Sequence, residues 1–153
     1  MQLSMEDSSM EKKIYYHDTD CGGVVYYANY LKYLEEARTE FFSERGVELK
    51  ELVRSGIGFV VARVEIDYKS PAKYQDILKI ITRIEKTRAS VIQFFQKVLN
   101  HGITVVEART TLVCVGADLK PLPMPEQLRK HLTMHTGKLD SPAWSQNQRS
   151  TTT

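Results

Sequence analysis

One long amphipathic helix, followed by four strand-like runs, is the feature that most constrains this chain. Helical spacing runs from roughly Ala28 to Glu44: Tyr30, Tyr33, Leu34, Ala37 and Phe41 share one face. Lys32, Glu35, Glu36 and Glu40 lie largely on the other. Gly46 stops this helix as a C′ residue, and Glu48–Arg54 adds a short helical piece. After Gly56 and Gly58 the character changes to strand, in FVVARVEIDY, ILKIITRIE, SVIQFFQKVL and TVVEARTTLVCV. Lys69–Asp76, which contains Ser-Pro-Ala-Lys, separates the first pair of these runs. Lys86–Ala89 and Asn100–Ile103, the latter with His101-Gly102, read as hairpin connections. A first strand is expected around Lys12–Tyr16. Pro121, Pro123 and Pro125 end the last strand, and Glu126–Leu132 can form a terminal helical turn. One long helix and an antiparallel sheet of this size make an α+β domain in which the sheet wraps the helix and buries its apolar stripe.

The length of 153 residues fits one domain with one core. Residues 1–11 are polar and expected to be flexible, 12–136 form the domain, and 137–153 read as a polar, disordered tail around Trp144. A net charge of +2 with no dense Lys/Arg stripe gives no sign of nucleic-acid binding, but leaves room for an anionic small molecule. Cys21 and Cys114 lie far apart without a CxxC pairing, which argues against zinc and for reduced thiols in the cytoplasm. The first residues lack a signal-peptide apolar core, and no run reaches the roughly 18 apolar residues of a membrane span. No dinucleotide or phosphate-loop pattern is present, so no cofactor is expected.

The chemistry concentrates in Tyr15–Arg38, YYHDTDCGGVVYYANYLKYLEEAR. Asp18 and Asp20 sit one residue apart and would point the same way in extended chain. Gly22 and Gly23 follow, where the chain can turn tightly, and the helix then begins. That order brings a carboxylate beside the unpaired N–H groups of a helix start, which can stabilise an oxyanion. Other readings of Asp18 and Asp20 remain open. A calcium loop fails, because counting from Asp18 puts Asn29 where Glu is required. No third ligand at a recognisable spacing supports a metal site, whereas a purely structural, turn-holding role is as good as a catalytic one. No G-x-S-x-G elbow exists, and His17 and His101 have no evident nucleophile partner. Tyr26, Tyr27, Tyr30 and Tyr33 read equally as core residues.

The run Tyr16-x-Asp18-Thr19-Asp20-x-x-Gly23-Val24-Val25-Tyr26, then Asn29-Tyr30-x-x-Tyr33-x-Glu35-x-Ala37-Arg38, resembles the hotdog-fold acyl-CoA thioesterases. The likeness is greatest to the 4-hydroxybenzoyl-CoA thioesterase family and its Tol–Pal-associated (YbgC-like) relatives. It extends from about Ile14 to Pro125 and includes Tyr68-x-x-Pro71-Ala72-x-x-x-Asp76-x-Leu78. The resemblance implies a hotdog fold, homodimers paired through a continuous sheet and commonly a homotetramer. It also implies active sites at the dimer interface and hydrolysis of an acyl-CoA to free acid and coenzyme A. The family's catalytic carboxylate matches Asp20, as nucleophile or general base. Tyr27 would polarise the thioester carbonyl through its N–H, Tyr16 would orient carboxylate or substrate, and Asp18 would brace the turn. Gly23 and Val25 would line the substrate, and Arg88 and Ser90 would hold the coenzyme A nucleotide. Tol–Pal-associated relatives commonly carry histidine where this chain has Tyr27. A phenol keeps its proton at neutral pH, so the ring and backbone of Tyr27 are expected to matter rather than its hydroxyl.

Three competitors belong to other classes. A hotdog dehydratase would need a histidine near the helix, and none lies between residues 18 and 100. A non-catalytic acyl-CoA binder would lack a competent carboxylate, which Asp20 supplies. A structural partner of an envelope or biosynthetic complex would act through its surface alone.

Overall fold

The structure, a computed structural model, describes residues 6–133. The elements run β1 (Ser8–Lys13), a 3-10 turn (Tyr16–Asp18), α1 (Asn29–Glu44), α2 (Leu49–Arg54), β2 (Ile57–Tyr68), β3 (Ile77–Thr87), β4 (Val91–Asn100), β5 (Ile103–Gly116) and α3 (Glu126–Thr133). The five strands form one antiparallel sheet in the order β1-β3-β4-β5-β2. The four later strands and the long helix match the sequence reading to within a few residues.

The first strand does not. It spans Ser8–Lys13 rather than Lys12–Tyr16, so residues 8–11, expected to be loose, are ordered in the sheet. The cause is pairing: Ser8 through Lys13 lie opposite Thr82 through Ile77 along the edge of β3. The inward positions are Ser8, Met10 and the stem of Lys12, so the alternation is carried by residues that read as polar. The expected tail, 137–153 with Trp144, lies outside the described residues, as do residues 1–5.

The sheet curls around α1, whose buried residues are Tyr30, Tyr33, Leu34, Ala37, Arg38, Phe41 and Phe42. Phe41 and Phe42 meet Phe94 of β4 edge-on, with centroids 5.2 and 5.7 Å apart. Arg38 is the exception in this stripe. Its Nη1 donates to Gln96 Oε1 at 3.0 Å and to Thr110 Oγ1 at 3.4 Å. Gln96, fully buried, donates in turn to the Leu34 carbonyl at 2.9 Å and to Thr82 Oγ1 at 3.0 Å. Burial pulls the Arg38 pKa down, opposed by the charge of Glu35. A buried cation here survives on neutral acceptors that are themselves fixed by helix and sheet.

Two connections fix the ends of the sheet. His101 and Gly102 both take positive φ, 49° and 79°, as a two-residue turn between β4 and β5 requires. The 69–76 connection returns along the start of α1, where Val25 donates to the Ala72 carbonyl at 2.8 Å.

Candidate active site

The segment from Ile14 to Asn29 is built by its own backbone. Asp18 closes the 3-10 turn, its N–H donating to the Tyr15 carbonyl at 3.0 Å and its Oδ2 accepting the Tyr15 N–H at 2.8 Å. Asp18 is 7% exposed. Burial alone would raise its pKa, but the Tyr15 N–H, the adjacent Tyr33 hydroxyl and the nearby His17 and Lys12 outweigh that and hold it below the ordinary value. The Tyr33 hydroxyl is buried beside Asp18 without completing a hydrogen bond, and burial, then Asp18, keeps its proton in place. The Asp18 carbonyl accepts the Tyr26 N–H at 3.0 Å and Asn29 Nδ2 at 2.9 Å, which ties the helix start to the turn.

Asp20 is exposed. Its Oδ1 accepts the Gly22 N–H at 2.8 Å, and its carbonyl accepts the Gly23 N–H at 3.0 Å. Gly23 sits at φ +79°, a left-handed conformation that favours glycine, and a Cβ on Gly22 would come within 3.1 Å of Asp20 Oδ1. Among the described residues Oδ2 has no partner. The two carboxylates therefore do not point the same way, as extended backbone would have them. The 3-10 turn rotates Asp18 into the core, and the tight turn at Asp20 holds its carboxylate outside.

The helix start is open. Ala28, at the N-cap, offers no side-chain acceptor, and the Tyr27 N–H has no acceptor among the described residues. The peptide plane carrying that N–H is nonetheless fixed, because its carbonyl, on Tyr26, accepts the Asn29 N–H at 2.9 Å. Beside it runs a chain of tyrosine rings, each edge-on to the next. Tyr26–Tyr27 centroids are 4.9 Å apart, Tyr27–Tyr68 6.1 Å, Tyr68–Tyr30 5.8 Å and Tyr30–Tyr33 5.8 Å. The Tyr26 hydroxyl lies by that of Tyr27, and this neighbour first, with Asp20 adding, raises its pKa. Burial pushes Tyr30 up to about 12. Val25, Tyr27, Tyr30, Tyr68, Ser70 and Pro71 line a cleft of about 340 Å³.

The structure puts Val25 and Tyr27 in the cleft, and Asp20 and Gly23 in the turn that precedes it along the chain. Tyr16 is 78% exposed, packs edge-on to Tyr74 at 5.9 Å and makes no hydrogen bond to Asp20 among the described residues. Arg88 and Ser90 occupy the β3–β4 turn, where the Ser90 carbonyl accepts the Cys114 N–H at 2.7 Å. Lys86, Arg88, Val91, Gln93 and Thr111 line a cleft of about 200 Å³ there. This turn follows the far end of β3, whereas the Asp20 turn lies by its beginning. At ~3.3 Å per residue, β3 alone separates them by roughly 35 Å within one chain. The sequence reading missed the part of Tyr68 and Ser70 in the cleft; the Tyr68-x-x-Pro71 pattern was the available signal. Among the described residues no group of three His, Cys, Asp or Glu could hold a metal ion.

The Tyr27 hydroxyl is peripheral to this arrangement, with 61% of the residue exposed. Tyr27→Phe should retain most turnover, measured as kcat on the preferred thioester. A loss comparable to removal of the Asp20 carboxylate would show the hydroxyl to be chemically engaged.

A family model described as the thioesterase-like superfamily matches residues 15–132. The acyl-CoA thioester hydrolase YbgC of Escherichia coli O6:H1 is 36% identical over 118 residues, covering 76% of this chain and 88% of the relative. The acyl-CoA thioesterase YbgC of Haemophilus influenzae is 32% identical over 123 residues, covering 79% of this chain and 90% of the relative. Among solved structures, a probable thioesterase from Bartonella henselae superposes with a TM-score of 0.74 at 31% identity, covering 78% of this chain and 99% of that one. A 4-hydroxybenzoyl-CoA thioesterase variant in complex with 4-hydroxybenzoyl-CoA shares the fold, with a TM-score of 0.78 at 23% identity over 84% of this chain and 99% of its own. A helix wrapped by one antiparallel sheet, with these likenesses, defines a thioester hydrolase on the hotdog fold. The chain belongs to the thioesterase-like superfamily.

Proposed function

We propose that this protein is a cytoplasmic acyl-CoA thioesterase that hydrolyses an acyl-CoA to the free acid and coenzyme A. The observation that carries the reading is an exposed, turn-held Asp20 carboxylate seven residues before an open Tyr27 N–H at the start of α1. The thioester carbonyl lies with its oxygen on that N–H, a donor whose contribution to the barrier is about 3 kcal/mol. Asp20 then acts in one of two ways. As nucleophile it attacks the carbonyl carbon, expels the thiolate and leaves a mixed anhydride that water cleaves. As base it takes a proton from water, whose hydroxide attacks and expels the thiolate. The thiolate is a fair leaving group, so neither route needs a strong acid or a cofactor. No helix among the described residues is long and apolar enough to cross a membrane.

The working form is a homodimer, itself able to pair into a homotetramer. Two features support this. β2 is a 12-residue edge strand with Val60, Val61 and Val64 exposed, an edge that calls for cover. In addition, Asp20 and Arg88 of one chain are too far apart to hold one substrate molecule, so a substrate that uses both spans two subunits. Arg88, with Ser90, takes the nucleotide phosphates, where a guanidinium pairs with phosphate oxygens.

The substrate class is tested at Arg88, remote from the reacting bond. The wild-type protein should prefer full acyl-CoA to the corresponding acyl-pantetheine. Arg88→Ala should raise KM for acyl-CoA about tenfold with kcat changed less, and the defect should shrink on the truncated thioester. Equal losses on both substrates would place Arg88 outside the nucleotide site. A wild-type enzyme indifferent to the nucleotide would remove coenzyme A from the proposal.

A further inference from the structure

The Tyr68 hydroxyl, at the end of β2, donates to the Tyr27 carbonyl at 3.0 Å. Tyr27 is therefore held on both sides. The peptide unit before its Cα is fixed by the Tyr26 carbonyl accepting the Asn29 N–H at 2.9 Å; the unit after it is fixed by Tyr68. Without the second bond, nothing among the described residues restrains the Tyr27 carbonyl. It precedes the first regular turn of α1, and Ala28 provides no cap. The two rings meet edge-on at 6.1 Å, so the same contact that carries the hydrogen bond also walls the cleft.

We infer that Tyr68 is a positioning residue for thioester hydrolysis: its hydroxyl anchors the Tyr27 backbone so that the Tyr27 N–H stays aimed at the developing oxyanion. This rests on the proposed reaction and extends it to a residue on another element. The physical argument is preorganisation. A donor contributes to the barrier only where it already points at the charge that forms, and a displacement of about 1 Å can reduce rate about a hundredfold. A phenol suits the task because it donates without carrying charge into the cleft. Burial, and then the adjacent Tyr27, raise the Tyr68 pKa, so the donor proton is retained through the neutral range. The arrangement also couples the edge strand to the reaction, since any shift of the end of β2 moves the oxyanion donor.

Tyr68→Phe tests this, because it keeps the ring wall and removes only the hydroxyl. The residue is 47% exposed, so the variant should fold with an unchanged melting temperature. The expected result is a fall in kcat of about tenfold or more with KM nearly unchanged, since the contact acts on the transition state. Binding of an acyl-CoA thioether, which has no carbonyl to polarise, should be the same in both proteins. Tyr68→Leu, which also removes the ring, should add a rise in KM. Unchanged kcat in Tyr68→Phe would overturn the inference, and so would a rise in KM alone or weakened thioether binding, because each places Tyr68 in the wall only. Wild-type protein that binds acyl-CoA but releases no thiol would instead remove the reaction on which the inference rests.

Discussion

Asp20→Asn should reduce kcat by a factor of about 10² to 10⁴ while the protein stays folded, as expected when the one positioned base or nucleophile is lost. The amide keeps the acceptor that Oδ1 offers to the Gly22 N–H, so the turn and Gly23 survive. What disappears is the carboxylate oxygen Oδ2, which has no partner among the described residues. Melting temperature and oligomeric state should match the wild type, and KM should change little. Asp18→Asn should show the opposite profile. That carboxylate is buried and accepts the Tyr15 N–H, so its loss should lower stability more than kcat. Near-normal turnover by folded Asp20→Asn would assign the chemistry elsewhere.

Gln96→Leu should destabilise the fold by about 3 kcal/mol, a drop in melting temperature of roughly 10 °C for a domain of this size. The volume is nearly conserved, so the effect comes from polar groups left alone. Arg38 Nη1 loses its 3.0 Å acceptor, and the Leu34 carbonyl and Thr82 hydroxyl lose a donor. The buried guanidinium is then left with one longer hydrogen bond, to Thr110, and the charge of Glu35. The double variant Gln96→Leu with Arg38→Met should recover part of the loss, because removing both members also removes the stranded charge. Denaturant midpoints of the two single variants and the double one measure the coupling. Additive losses would show that Arg38 does not depend on Gln96.

The helix and four later strands were legible because their periods are strong and their boundaries carry Gly, Pro or His-Gly. β1 was not, since an edge strand paired on one side can spend inward positions on Ser8 and a lysine stem. The buried Arg38–Gln96 bridge was hidden for a related reason. Gln96 falls on the same face as Ile92, Phe94 and Val98, and Arg38 lies one turn after Leu34, but polar residues at those positions read as solvent-facing unless their partners are known. Of the candidate site, the tight turn at Asp20 and Gly23 and the helix start that follows Tyr27 were legible from one continuous segment. The different fates of Asp18 and Asp20 were not, because a 3-10 turn leaves no apolar period to read. The bond from Tyr68 to Tyr27 was not legible either: the Tyr68-x-x-Pro71 pattern marks the residue, but its partner lies forty-one positions back along the chain.

The most direct test of the account is turnover of intact acyl-CoA by the purified protein, with free thiol and free acid followed together. The account predicts equal amounts of both, over many turnovers per subunit, with a rate that saturates in acyl-CoA. Saturable binding of acyl-CoA across a panel of acyl groups, with no thiol released from any of them, would contradict it and leave a binding protein on the same fold.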